Sequence, residues 1–204
     1  MEMAMRIFKT FFGSLIVAAG IVIFLQAGMG ADPLSVFLQG IMQLTGEFLG
    51  SSTFGTLSTS FGLLVLAAVF FVDRSKIGIG SIVNSIFTGV FINLCYAIGL
   101  DRLLPELPWL LIVLGPITIG FGLAIYLSAG LGAGSTEAIM LILVERSRFS
   151  LKSIRILQDA AFVLIGVLLG ASYGLGLLTG VFLIGPSIEY SLKLLKNRAR
   201  QAQV

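Results

Sequence analysis

Few side chains here are equipped for chemistry. The 204 residues carry thirteen Lys or Arg and ten Asp or Glu, no histidine, and a single cysteine, Cys95, inside an apolar run. Without histidine the usual near-neutral acid/base and metal ligand is missing. Zinc centres and His-dependent triads are excluded, and one cysteine allows no disulfide within a chain. No clustered carboxylates form a catalytic constellation. The expectation is therefore no enzyme, no catalytic residue, no metal and no cofactor. What remains is binding and charge movement.

Arg155 and Asp159 are spaced i, i+4 and share a helix face, with Gln158 beside them. Such a pair either orients the helix or serves as a gate or proton-linked couple. Glu189, one turn after Pro186, is either a relay or an anchor that reaches water, with the anchor preferred. Asp32 precedes Pro33 as an N-cap precedes a proline at the first helical position. Glu137 falls in the first turn of a helix, where negative charge is favoured. Either carboxylate could instead face a solute or proton path, as intramembrane acids do.

Gly28/Gly30 and Gly130/Gly132 mark two turns, each between a long apolar run and a short helix. Glycine admits positive φ and close backbone approach. Helix starts leave free N–H groups that hold anions. Paired broken helices point to the binding site of inverted-repeat transporters. The plainer reading is a tight turn with close packing of small residues. Asn84 either bonds a neighbouring helix or lines a polar pathway, and Gln39 with Gln43 suits a wetted face. The expected binding set is Gly28, Gly30, Asp32, Gln39, Asn84, Gly130, Gly132 and Glu137. The expected gating set is Arg155, Asp159 and Glu189. Gly166 and Gly170 read as a helix-packing face, and Trp109 as an interface anchor.

The elements that must position these residues are membrane helices. Apolar residues make up 57% of the chain and charged ones 11%, with a mean hydropathy of +1.05. A soluble domain carries about a quarter charged residues. Runs at 8–27, 53–72, 77–98, 109–128, 156–172 and 174–193 approach the roughly 20 apolar residues a spanning helix needs. Two shorter pieces, 34–48 and 135–146, are marginal. The first run resembles a signal peptide. Recurrence of its pattern in mid-chain argues against cleavage. The chain reads as one membrane domain over 1–204. Lys193, Lys196, Arg198 and Arg200 read as a cytoplasmic anchor rather than a nucleic-acid patch.

The chain repeats itself. At an offset of 102, "LQAGMGA" (25–31) meets "LSAGLGA" (127–133), and Gly13 and Gly20 meet Gly115 and Gly122. At an offset of 96, "IGIGSIVNSIFTG" (77–89) meets "YGLGLLTGVFLIG" (173–185). Repeat 1 covers about 8–100 and repeat 2 about 109–196. Equivalent loops swap charge. Residues 46–56 lack Lys and Arg, whereas 144–155 carry Arg146, Arg148, Lys152 and Arg155. Conversely Arg74 and Lys76 in 73–80 have no counterpart in 170–177. Opposite orientation predicts that swap. The expected fold is an all-α polytopic bundle of two inverted repeats, three spans each plus a short non-crossing helix, with both termini cytoplasmic. The alternative is eight spans in two parallel repeats.

Gly28-Met29-Gly30-Ala31-Asp32-Pro33, Gly78-Ile79-Gly80-Ser81, the basic stretch from Ser150 to Asp159, and Gly174 to Pro186 resemble the YczE-like family of bacterial integral membrane proteins, related to the YitT group. That family follows its second G-x-G with Gly-Pro and an acidic residue, where this chain reads Gly134-Ser135-Thr136-Glu137. The resemblance implies an integral membrane protein and names no substrate.

The expected function is a secondary transporter or facilitator of a small solute across the bacterial inner membrane. Free helix N-termini and the basic inner segment lean toward an anionic or zwitterionic solute. No ATP-binding motif is present. The alternative is a non-transporting scaffold or regulatory partner of another membrane protein. The expected partners are the lipid bilayer, the small solute and a second copy in a homodimer, without nucleic acid.

Overall fold

The computed structural model describes residues 2–45, 54–102 and 107–201, apart from the side chains of Lys152 and 197–201. Most of the 46–56 loop, residues 103–106 and the side chains of Arg198 and Arg200 lie outside the described residues. Eight α-helices and no strand occur among the described residues: α1 Glu2–Gln26, α2 Pro33–Thr45, α3 Phe54–Asp73, α4 Ile79–Ala97, α5 Pro108–Ser128, α6 Ser135–Arg146, α7 Leu151–Leu168 and α8 Leu175–Gln201. One-turn 3₁₀ helices follow α3 and α4, at Arg74–Lys76 and Leu100–Arg102.

Local chemistry sets several of these boundaries. Ser35 N donates to Asp32 Oδ2 at 3.1 Å, so Asp32 caps α2 with Pro33 in the first position. Ser150 accepts from Ser153 N and starts α7 at Leu151, five residues before the expected span. Gly170, with φ +94°, lies just beyond the end of α7. Gly166 and Gly170 therefore do not share a helix face, because the left-handed glycine follows the helix instead of extending it.

α2 has 13 residues and α6 has 12. At 1.5 Å per residue their described residues reach about 20 Å, short of a hydrocarbon core of about 30 Å. Five helices, α1, α3, α4, α5 and α8, are long and apolar enough to cross a membrane. The sixth expected span, α7, carries Lys152, Arg155 and Asp159 within its 18 residues, so composition alone does not single it out. Outward apolar side chains such as Phe71, Leu164, Leu168 and Phe182 are well exposed, as lipid-facing residues are.

α1 and α5 pack through glycine faces. A Cβ on Gly13 would meet Tyr126 N at 2.7 Å and Gly122 O at 2.8 Å. A Cβ on Gly20 would meet Ile119 N at 2.7 Å and Gly115 O at 3.1 Å. Moving up α1 means moving down α5, so the two helices are antiparallel. In lipid no hydrophobic driving force holds helices together, and close backbone approach does the work. α2 runs parallel to α7: Val36 and Gly40 meet Gly166, and Gln43 meets Gly170. α3 packs on α6 through Val65, Val69, Ala138 and Ile142. α1 packs on α4, and α5 on α8. Exchanging α1 with α5, α2 with α6, α3 with α7 and α4 with α8 maps these pairs onto one another. The exception is α3 with α4, since α7 and α8 hardly touch.

Candidate functional site

The two glycine turns have matching backbones. Gly28 and Gly30 have φ of +63° and +87°, and Gly130 and Gly132 have +61° and +125°. Each turn clasps a helix of the other half. Gly176 N donates to Met29 O at 2.8 Å, and Gly80 N donates to Leu131 O at 2.8 Å. These carbonyls satisfy amides that the first turns of α8 and α4 would otherwise leave open. Close approach requires the glycines: a Cβ on Gly132 would meet Ser81 Oγ at 2.6 Å, and one on Gly30 would meet Gly174 N at 2.9 Å. Gly28 faces open space, and Gly130 faces the Arg6 guanidinium.

The expectation of an anionic solute drew on free helix N-termini. Carbonyls occupy those of α4 and α8, and the Asp32 carboxylate occupies that of α2. The start of α6 carries the negative Glu137.

Around the head of α6 the polar side chains converge. Arg155 Nε donates to Asp159 Oδ2 at 3.0 Å, and its Nη1 lies 3.8 Å from Glu137 Oε1. Gln158 Nε2 donates to Thr136 O at 3.2 Å, binding α7 to the start of α6. Asn84 Oδ1 lies 2.9 Å from Ser14 Oγ and accepts from Thr88 Oγ1 at 3.1 Å. That orientation turns Asn84 Nδ2 toward Gly134, where a Cβ would lie 3.7 Å from it and also against Glu137 Oε2. Ser85 and Ser135 flank Gly62 on the same side.

Asn84, Glu137, Arg155 and Asp159 thus come together, contributed by α4, α6 and α7, while the Asp32 carboxylate is engaged in its cap on α2. Asp32 Oδ1 and Gln158 Oε1 are closed to solvent and have no partner. Gln39 lies elsewhere, toward the far end of α2. It lines a cavity of about 310 Å³ with Met42, Gln43 and Ser172. Glu189 is exposed on α8 and pairs with Lys193 at 2.7 Å. Its repeat counterpart, Asn93, donates to Thr56 Oγ1 at 3.0 Å.

Sequence reasoning missed Ser14, Thr10, Tyr126 and Arg6. Thr10 and Ser14 are fully buried, and an i, i+4 pair of hydroxyls on an apolar helix was the available signal. The Tyr126 hydroxyl donates to Gly132 O at 2.9 Å. Arg6 donates to Ala129 O at 2.6 Å and to Gly130 O at 2.8 Å, bracing the second turn.

DUF6198, a family of unknown function, matches residues 4–193. The chain belongs to that family. A curated relative is the uncharacterized membrane protein YczE of Bacillus subtilis, 26% identical over 197 residues, covering 94% of this chain and 87% of the relative. An uncharacterized protein of Haemophilus influenzae is 27% identical over 172 residues, covering 83% and 75%. The uncharacterized protein YyaS of B. subtilis is 26% identical over 190 residues, covering 91% of each. No solved structure matches. The YczE-like resemblance of the glycine motifs is thereby borne out. With its apolar helices, this DUF6198 chain is a membrane-embedded protein.

Proposed function

We propose that the chain is a secondary transporter or facilitator of a small solute in the bacterial inner membrane. It is built as two inverted repeats of three spans, with α2 and α6 as short non-crossing helices and α7 as the sixth span. One observation carries the reading. Two turns with matching left-handed glycines interrupt the chain after α1 and α5; α2 starts on the Asp32 carboxylate, and α6 starts beside the Glu137, Arg155 and Asp159 charges. Interrupted helices with charges at membrane depth are how inverted-repeat carriers build a solute site.

Inversion is supported by the antiparallel pairing of α1 with α5, which are equivalent helices of the two repeats. Gly13 faces Gly122, the counterpart of Gly20, and Gly20 faces Gly115, the counterpart of Gly13. A two-fold axis in the membrane plane produces that exchange. The loop charges favour cytoplasmic termini. Over their described residues α2 and α6 are short for a crossing helix, which supports six spans over the eight-span arrangement.

The test is flux. The purified chain in liposomes is assayed for uptake of radiolabelled methylammonium, glycine, acetate and phosphate. At least one solute is expected to equilibrate at least tenfold faster than in protein-free vesicles, with the rate lost in Arg155→Gln. No acceleration of any solute, with one fixed partner co-purifying, would replace transport by a scaffold or regulatory role.

A further inference from the structure

We propose that the Lys76–Glu145 ion pair is the inner gate of the transport path, and that the cavity at Gln39, Gln43 and Ser172 is the matching outer gate standing open. This deepens the transporter reading. It rests on that reading for the path and on the inverted repeats for the two sides.

Correspondence between the halves is the first argument. α2 and α6 begin at Pro33 and Ser135, which match at the offset of 102. α4 and α8 begin at Ile79 and Leu175, which match at the offset of 96. The same offsets match Glu145 with Gln43 and Lys76 with Ser172. Lys76 and Glu145 bond each other, and so tie the end of α6 to the turn between α3 and α4. Their counterparts Gln43 and Ser172 instead line a cavity of about 310 Å³ between the end of α2 and the turn between α7 and α8. One corner of the repeat thus occurs in two conditions within one molecule: bridged by opposite charges, and open between uncharged side chains.

The one-sidedness of the ties is the second argument. At the inner corner Arg146 Nη2 also donates to Val72 O at 3.2 Å, and Lys76 Nζ lies 4.0 Å from Asp73 Oδ2. At the outer corner no hydrogen bond or ion pair joins α2 to residues 169–174 among the described residues. Gln39 Oε1 is closed to solvent there without a partner. Gly170 lets the turn approach α2, because a Cβ on it would lie 2.7 Å from Gln43 Oε1.

The third argument is the modest strength of the clasp. The Lys76 side chain is 19% exposed and that of Glu145 56%. A pair so open to water holds little net free energy, so it can close a corner and still part. Carriers built from inverted repeats open to one side at a time by rocking one part against the other. Equivalent corners of the two halves then exchange conditions. The second state has Lys76 and Glu145 apart and the turn between α7 and α8 closed on α2.

The experiment is double electron–electron resonance on the purified full-length chain, with Cys95→Ser as background. Spin labels on Ser75→Cys and Ser147→Cys span the inner corner, and labels on Leu44→Cys and Tyr173→Cys span the outer one; all four residues are exposed. Lys76→Gln is expected to lengthen the inner distance and shorten the outer one, each by about 5 Å, the scale of one element shifting a turn past another. Glu145→Gln is expected to do the same, with elution on size exclusion unchanged for both. An inner distance that lengthens while the outer one stays would mean a frayed helix end. Unmoved distances in both variants would mean a surface contact. Either result overturns the proposal. In liposomes, bridging Lys76→Cys to Glu145→Cys with a reducible bis-methanethiosulfonate is expected to stop uptake of whichever of methylammonium, glycine, acetate and phosphate the chain moves, and reduction to restore it. Undiminished uptake in the bridged protein would also overturn the gate. Opposed distance changes in a chain that moves none of the four solutes would keep the coupled corners and remove the transporter. Uptake without distance changes would do the reverse.

Discussion

The turns at 27–32 and 129–134 are built alike and charged differently. Both pass through two left-handed glycines, and both lend a carbonyl to the first turn of a helix in the other half. At the end of the first turn stands Asp32. The equivalent position in the second is Gly134, and the nearest carboxylate is Glu137 in the following helix. The second turn is braced by the Arg6 guanidinium, whereas no cation bonds the carbonyls of the first among the described residues. The backbone frame is held in common because helix packing depends on it. The side chains have diverged where the charges gather, which separates architecture from the candidate chemistry.

Four changes, with one control, break or sharpen that comparison. The largest effect is expected at the helix face both halves share. Gly122→Leu drives a side chain into Val17 N at 2.7 Å and Gly13 O at 2.9 Å. Overpacking against backbone costs about 3 kcal/mol or more, so folded protein should largely disappear from size exclusion and thermal unfolding. Gly185→Ala, where a Cβ meets nothing, is the control and should be neutral or slightly stabilising. Next comes Arg6→Gln, which loosens one turn only. Amide exchange over 129–134 should quicken about tenfold, the equivalent of one net hydrogen bond, while 27–32 is unchanged. Equal quickening in both turns would mean that the brace is not local.

Gly28→Ala probes the turn conformation without a clash. The site is open, but φ is +63°, so the cost should be about 1 kcal/mol from the left-handed backbone alone. A much larger loss would mean that the first turn is as crowded as the second. The smallest structural effect belongs to Asp32→Asn, within about 0.5 kcal/mol in thermal unfolding because asparagine caps as well as aspartate. Its effect should appear in flux instead.

Much of the frame was legible in the residues. The apolar runs marked the long helices to within a few positions, except at α7, at the N-terminal end of α1 and at the C-terminal end of α8. Asp32-Pro33 announced a capped helix, and the i, i+4 spacing of Arg155 and Asp159 announced their pair. These features are local. The glycine matches revealed a repeat, but not that Gly13 would face Gly122 and Gly20 face Gly115, because packing partners follow from relative orientation. Arg6 was hidden for a similar reason. Near an N-terminus it reads as a cation held on the cytoplasmic side, and only the fold brings it to carbonyls more than a hundred residues away. Ser14 and Asn84 were each visible as polar residues in apolar runs. Their bond depends on the docking of α1 against α4.

The central claim is that the two halves run in opposite directions through the membrane. Ser75 and Ser172 occupy the loops before α4 and α8, corresponding loops at the offset of 96, and both are exposed. With Cys95→Ser as background, Ser75→Cys and Ser172→Cys are labelled by a membrane-impermeant maleimide in intact cells and in inverted vesicles. Opposed halves predict that Ser172→Cys reacts in intact cells and Ser75→Cys only in inverted vesicles. Labelling of both from the same side would contradict the account.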